Sequence, residues 1–293
     1  MLILVRYGEI GLKSSQVKAQ FEQRLVERLE QKCSYAGIDG DVRRSEGRIF
    51  ADVPEEDAAD AAIALSRVPG VVSVSPAAQT SLDLDDIGEQ ALELVADQDA
   101  ETFAVDARRA GEHDYTSADI EEAVGQRIVD GTGLEVDLDD PDVTVTVEAR
   151  YTNAYLYTET VDGVGGLPVN EENRVAVLME DRSSTVAAFL LMKRGCTVFP
   201  VYTGGDSERL ETEMATLRQF DPDVKLTVMQ GEEPAAALDR ACDLYDCAAA
   251  AVARTADELG EEPAVAAELL LPTAGMSEEK VMERYRAIAA PSA

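Results

Sequence analysis

The sequence predicts a mixed α/β and α+β protein, and three observations carry that prediction. Residues 1–77 alternate strand-like and helical runs. Residues 78–168 hold a second alternation that ends in a glycine-rich stretch. From Arg174 onward, strands and helices alternate singly, which is the pattern of a parallel, doubly wound sheet. The expected domains are therefore 1–77, 78–168 and 169–293, and a length of 293 residues accommodates two or three of them.

In the first segment Leu2–Tyr7 is an apolar strand candidate. Ser15–Tyr35 follows as a helix, with Val17, Phe21, Leu25 and Leu29 at i, i+4, i+8 and i+12. Ile49–Val53 reads as a strand, alanine-rich Glu55–Leu65 as a helix, and Val71–Ser75 as a strand after the Pro69-Gly70 turn. A helix then opens near Ser81 or Asp83, either of which can cap it, and runs to about Ala96.

In the second segment Thr102–Ala107 is a strand and Ser117–Gly131 a helix. Glu135–Leu138 and Val143–Arg150 are expected as a strand pair, with Asn153–Thr160 pairing onto the latter. Gly163, Gly165, Gly166 and Pro168 form a linker. In the third, strands are expected at Arg174–Met179, Thr197–Val201 and Lys225–Met229. Helices are expected at Ser184–Arg194, Asp206–Phe220 and Pro234 to about Leu259, the last absorbing the alanine run Ala248–Val252. A final helix starts at Ser277, with Glu278 and Glu279 in its first turn.

Composition narrows the class. The chain has 58 acidic and 26 basic side chains, a net charge of −32, and six lysines against twenty arginines. Such pervasive acidity with little lysine and no tryptophan is the solvation habit of an extreme halophile; a surface for basic partners is the alternative. At molar salt the Debye length falls to about 3 Å, so local arginine clusters decide contacts with phosphate more than the total does. No apolar run reaches membrane-spanning length and the N-terminus has no signal-peptide pattern, so a cytoplasmic protein is expected. Four irregularly spaced cysteines suit a reducing compartment.

Several stretches, taken together, resemble one family. RYGEIGLKS at Arg6–Ser14, ARRAGEHDYTSADI at Ala107–Ile120, DLDDPDVTVTVEAR at Asp137–Arg150, GVGGLPV at Gly163–Val169 and VAAFLLMKRGC at Val186–Cys196 are similar to segments of the tRNA 4-thiouridine synthetases, the ThiI-type tRNA sulfurtransferases. The resemblance covers residues 1–203 well and the remainder weakly, where LLLPTAGM keeps only an echo. It implies a ferredoxin-like N-terminal domain, a THUMP domain and a PP-loop-like, Rossmann-type C-terminal domain. It also implies tRNA as partner, held by the first two domains, with uridine adenylation by ATP in the third.

The nucleotide loop departs from the family pattern. At the position of the family's SGGxDS stand Met179, Glu180, Asp181, Arg182, Ser183 and Ser184, so only the last serine matches. Glycines allow backbone to approach phosphate, and a helix N-terminus supplies free N–H donors; two carboxylates would repel it instead. Arg182 could still meet phosphate directly. Val177, Leu178, Ser184, Tyr202 and Thr203 align with the family's nucleotide contacts. On the sulfur side, Cys242 and Cys247 are five apart on the expected helix, about 500° around it, and so do not share a face. With Cys33 and Cys196 they read as small buried hydrophobes.

The remaining chemistry is RNA contact. Arg108 and Arg109, beside His113 and Tyr115, can serve phosphates and a stacked base; pairing with Glu112 and Asp114 as a solvated rim is the bland alternative. One isolated histidine supports neither a metal site nor a general base. Arg43, Arg44 and Arg48 form a second cluster, Lys193-Arg194 suits a helix C-terminus, and Asp139-Asp140 reads as acidic surface.

The expected function is tRNA binding without adenylation, needing no metal or cofactor and showing no DNA specificity. Such a chain would present tRNA to a separate catalytic sulfurtransferase subunit or to a second copy of itself in a homodimer. An active sulfurtransferase using ATP with Mg, and an acidic scaffold for protein partners, are the alternatives.

Overall fold

The computed structural model describes residues 1–12, 14–96, 98–260 and 262–290. Lys13 of the RYGEIGLKS stretch lies outside them. Two compact units emerge. One comprises Met1–Arg6, Ile38–Ala62 and Ser73–Asp162; the other comprises Tyr7–Gly37, Ile63–Val72 and the chain from Gly163 onward. The expected N-terminal domain is thus shared between them.

The elements in chain order begin with β1 (Leu2–Tyr7), α1 (Ser15–Ala36), β2 (Asp41–Ser45), β3 (Arg48–Asp52), α2 (Ala58–Ser66), β4 (Val71–Thr80) and α3 (Leu84–Val95). Next come β5 (Thr102–Arg109), α4 (Ser117–Thr132), β6 (Glu135–Val136), β7 (Val143–Ala149), β8 (Ala154–Tyr157) and β9 (Val161–Asp162). The strands order as β2-β3-β1-β4-β8-β7-β5-β6, with β9 on β4. Two expectations change here. Residues 41–45 are a strand, so Arg43 and Arg44 stand on a hairpin. Glu135–Leu138 and Val143–Arg150 do not pair with each other, because both lie parallel to β5, one on each side.

Alternation sorts the side chains of this sheet. Phe103, Ala107, Val145, Val147 and Leu156 face α3 and α4, where Ile87, Ala91, Ile120, Val124 and Ile128 complete an apolar core. α4 begins with a capping box in which Thr116 and Asp119 satisfy each other's backbone and side-chain donors. The opposite face carries Leu2, Leu4, Phe50, Tyr155 and Tyr157, with charged residues beyond them.

The second unit contains β10 (Asn170–Leu178), α5 (Arg182–Lys193), β11 (Cys196–Tyr202), α6 (Ser207–Arg218), β12 (Thr227–Val228), α7 (Pro234–Tyr245), β13 (Ala249–Ala251), β14 (Glu268–Leu270) and α8 (Glu278–Ala289). Its parallel strands order as β12-β11-β10-β13-β14. Val175, Val177, Ala249 and Ala251 pack under α5, α6 and α8, while Ala176, Leu178, Ala250 and Val252 pack under α7. Both faces are covered, which is the doubly wound arrangement.

The long helix expected to about Leu259 stops at Tyr245. Asp246 adopts a left-handed conformation, φ 52°, and its N–H bonds the Cys242 carbonyl. The alanine run becomes β13, an inner strand of the sheet. Small side chains there fit between two helical layers, so tertiary packing overrides helix propensity. β14 overlaps the start of the LLLPTAGM echo, whose resemblance is to a strand end, and forms the edge of the sheet.

The glycines before β10 have steric reasons. A Cβ on Gly163 would lie 2.3 Å from the Val71 carbonyl oxygen, and one on Gly166 would lie 2.0 Å from that of Lys193. The expected linker is therefore a close backbone crossing. Among the described residues no helix is long and apolar enough to cross a membrane.

Candidate nucleic-acid interface

On the face of the first sheet away from α3 and α4, strand register gathers charges that are distant in sequence. Glu148 on β7 sits opposite Arg108 on β5 and Tyr155 on β8. Although only 3% exposed, it is not isolated. Arg6 Nε donates to its Oε1 at 3.0 Å, and Arg48 and Arg150 reach Oε2 at 3.2 and 3.3 Å. Tyr157 Oη donates to it at 3.3 Å. Burial pushes the Glu148 carboxyl up, but Arg48 and Arg6, with Arg150, outweigh it and hold the group below the usual carboxylate range.

Arg6 and Arg150 are each fixed by a second contact. Arg6 lies over the Tyr157 ring, 4.5 Å from its centroid, and donates to Ser75 Oγ at 3.1 Å. Arg150 Nε donates to the Glu46 carbonyl at 3.0 Å, which ties down the β2–β3 turn. That turn has φ 52° at Glu46 and 72° at Gly47, as a tight two-residue hairpin requires. The turn in turn positions Arg48 and Arg43. Arg43 pairs with Asp52 at 3.2 Å and lies 5.1 Å from the Phe50 ring centroid, and Phe50 packs on Tyr155. Arg108 stands at the rim with a side chain 69% exposed, paired to Asp106 at 2.8 Å. Exposed guanidinium groups suit phosphate contact, while the rings beneath them, Phe50, Tyr155 and Tyr157, are buried and serve packing.

Arg108 and Arg109 separate because neighbouring strand residues point to opposite faces. Arg109 turns back to the Tyr115 carbonyl at 2.6 Å. His113 stacks on Tyr115, with centroids 5.4 Å apart, and its Nε2 lies 3.1 Å from the Ala110 carbonyl oxygen. Tyr115 Oη donates to the Leu82 carbonyl at 2.9 Å. These three side chains shape the loop leading into α4. Arg44 lies next to Arg43 on β2 and so points to the other face. Sequence reasoning missed Arg6, Arg150 and Glu148 as one assembly, since only strand pairing brings them together; Arg6 was visible within RYGEI.

The loop after β10 has its own internal capping. Asp181 Oδ1 accepts from the backbone N–H groups of Ser183 at 2.8 Å and Ser184 at 3.2 Å. Ser184 Oγ accepts from the N–H of Glu180 at 3.0 Å. The Glu180 carboxylate pairs with Arg254 at 2.7 Å, and its carbonyl accepts from Arg209. Arg182 lies over the Tyr285 ring. Val177 and Leu178 are buried in β10, while the Tyr202 and Thr203 carbonyls accept from Met229 and Gly231 at 2.8 Å each.

Cys242 and Cys247 come together, contrary to the helical-wheel expectation. With the helix ended at Tyr245, the chain turns back and brings the two thiols near each other; Cys242 Sγ donates to the Ala249 carbonyl at 3.7 Å, and burial and the neighbouring Cys242 push Cys247 up to about 12. Neither is poised as a thiolate at neutral pH. Cys33 is buried, and Cys196 is partly buried at the start of β11.

Comparison with known proteins adds to this geometry. Residues 2–75 match the ThiI ferredoxin-like domain and residues 82–159 the THUMP domain. A probable tRNA sulfurtransferase of Methanobrevibacter smithii is 40% identical over 210 residues, covering 69% of this chain and 53% of that protein. One from Halobacterium salinarum is 38% identical over 267 residues, covering 86% and 65%. The chain thus spans about half to two-thirds of the length of these curated relatives. The crystal structure of PH1313 from Pyrococcus horikoshii aligns over 99% of both chains, with 27% identity and a TM-score of 0.81. A 4-thiouridine synthetase solved with RNA and ATP shares the fold, with a TM-score of 0.80 at 21% identity over 98% of this chain and 84% of that one.

Proposed function

The chain belongs to the ThiI-type tRNA sulfurtransferase family through its ferredoxin-like and THUMP domains, and from that premise we propose that it binds tRNA without adenylating it. The observation that carries the binding half is the arginine array organised around Glu148, with the partly exposed Arg43, Arg48 and Arg108 reaching solvent on the same face. Recognition would run through phosphates and helix shape rather than base sequence. The net charge of −32 does not oppose this, because a contact between one guanidinium and one phosphate survives screening that removes the long-range field.

The second half of the reading rests on the self-capped loop. Asp181 takes N–H donors that a phosphate would otherwise meet, and its charge and that of Glu180 lie where phosphate charge would come. The residues present therefore do not fit a triphosphate, and no adenylation step is assigned to them. Under this reading the chain needs no metal or nucleotide of its own and presents tRNA to a catalytic partner.

The test is tRNA binding in molar KCl with Arg6→Ala plus Arg108→Ala, beside calorimetry with millimolar ATP and Mg. Loss of tRNA affinity in the double variant with no ATP heat supports the reading. Saturable ATP binding, with loss of tRNA thiolation in a deletion strain, would instead favour an active sulfurtransferase. Absence of tRNA binding by the wild type would remove both halves.

A further inference from the structure

Cys242 and Cys247 stand at the two ends of the turn that terminates α7. Asp246 is left-handed there, with φ 52° and ψ 50°, and its N–H bonds the Cys242 carbonyl. The N–H of Cys247 bonds the same carbonyl at 3.0 Å. A hydrogen bond spanning six residues in this way is the mark of a Schellman turn, in which the first and sixth side chains meet. Ordinarily two apolar residues make that contact; here two thiols do. Cys242 is accordingly among the groups that push the Cys247 thiol up. Converging Cβ atoms on closely spaced Cα atoms are what a disulfide requires.

Access differs between the two sulfurs. Cys242 is only 7% exposed, whereas Cys247 is partly exposed, so a small reagent meets Cys247 first and Cys242 stands ready behind it. The turn is also a point where several elements are tied. Tyr245 stacks on Phe199 of β11, with centroids 4.3 Å apart, and its Oη accepts from Thr227 of β12 at 2.9 Å. Its carbonyl accepts from Arg174 of β10 at 3.0 Å, and the N–H of Ala248 returns to the Arg174 carbonyl at 3.0 Å, just before β13. A covalent link across this turn would fasten α7 to the strands that it anchors.

We propose that Cys242 and Cys247 form a redox modification site, closing as a disulfide that locks the end of α7 to the start of β13. The oxidant is a low-molecular-weight disulfide. Cys247 gives up its proton and its sulfur attacks one sulfur of the reagent, breaking the reagent's S–S bond and releasing one small thiol. Cys242 gives up its proton in turn, attacks the Cys247 sulfur of the mixed disulfide and releases the second small thiol. Each departing sulfur takes up a proton, so two protein thiols are oxidised and one small disulfide is reduced. Burial holds both protein thiols protonated, which slows the exchange and makes the pair answer sustained rather than brief oxidation. The site calls on neither RNA nor nucleotide.

The test equilibrates the full chain, folded in molar KCl, with graded mixtures of oxidised and reduced glutathione, followed by acid quenching, alkylation in denaturant and trypsin digestion. Cleavage after Arg240 and Arg254 leaves both cysteines in one peptide, 241–254. That peptide is expected to lose two hydrogens and escape alkylation at a ratio of oxidised to reduced glutathione about tenfold below the one at which Cys33 or Cys196 takes up an adduct. The denaturant midpoint of oxidised wild type should fall on addition of reductant, whereas that of Cys247→Ser should not move. Cys242→Ala replaces Cys247→Ser if circular dichroism shows the latter misfolded. A peptide that keeps two alkylatable thiols, or takes up glutathione without closing, overturns the proposal. So does closure seen only after denaturation, or a wild-type midpoint that reductant leaves unmoved. None of these outcomes depends on whether tRNA binds.

Discussion

Glu148 accepts a hydrogen bond from Arg6 at 3.0 Å across 142 positions of sequence, and that carboxylate orders arginines on a face proposed to meet RNA. Simple electrostatics says that removing a negative charge from such a face should strengthen phosphate binding. The geometry says the reverse, because Arg6, Arg48 and Arg150 all take their orientation from Glu148. Glu148→Gln is therefore expected to weaken tRNA binding about tenfold and to lower stability by about 1–3 kcal/mol. Asp106→Asn, which only frees the exposed Arg108, should leave affinity unchanged or raise it. Binding titrations across a salt series check both, since lost phosphate contacts flatten the salt slope.

Lys32 gives a pH signature. Burial pushes its pKa down from 10.5 to about 8, with Arg67 adding to the effect, and its ammonium donates to the Gln219 carbonyl at 2.5 Å. The folded chain therefore binds fewer protons than the unfolded chain between about pH 8 and 10.5. This group's contribution to stability rises with pH across that window. Lys32→Met should remove the rise, as followed by denaturant midpoints at several pH values.

Asp181 is expected to act as a helix cap and nothing more. Asp181→Ala should lower stability by about 1 kcal/mol through loss of the cap, seen as a lower melting temperature. It should produce no ATP heat in calorimetry, because Glu180, at the other glycine position of the motif, still carries its charge and still lacks the freedom of glycine.

Gly166 and Gly165 form a contrasting pair. Both have positive φ, 84° and 68°, but only Gly166 faces a carbonyl oxygen, at 2.0 Å from where a Cβ would stand. Gly166→Ala is expected to cost about 3 kcal/mol, against about 1 kcal/mol for Gly165→Ala, whose cost is backbone strain alone. Denaturant unfolding of the two variants measures the difference.

The sequence by itself determined the fold class, the family and most elements. Local signals carried these: the four-residue spacing of Leu25 and Leu29, the caps at Asp83 and Ser277, and the apolar run of β10. Long motifs such as RYGEIGLKS and GVGGLPV carried the resemblance. What failed was wherever a local preference met a tertiary demand. Ala249–Ala251 favours helix in isolation, yet it lies as a strand between two helical layers where only small side chains fit. Cys242 and Cys247 meet because Asp246 turns the chain, an event no helical wheel contains. The arginine array was invisible for the same reason. Arg6, Arg48, Arg108, Arg150 and Glu148 are scattered over 145 positions, and only strand pairing, which fixes register across the sheet, sets their charges within hydrogen-bonding reach.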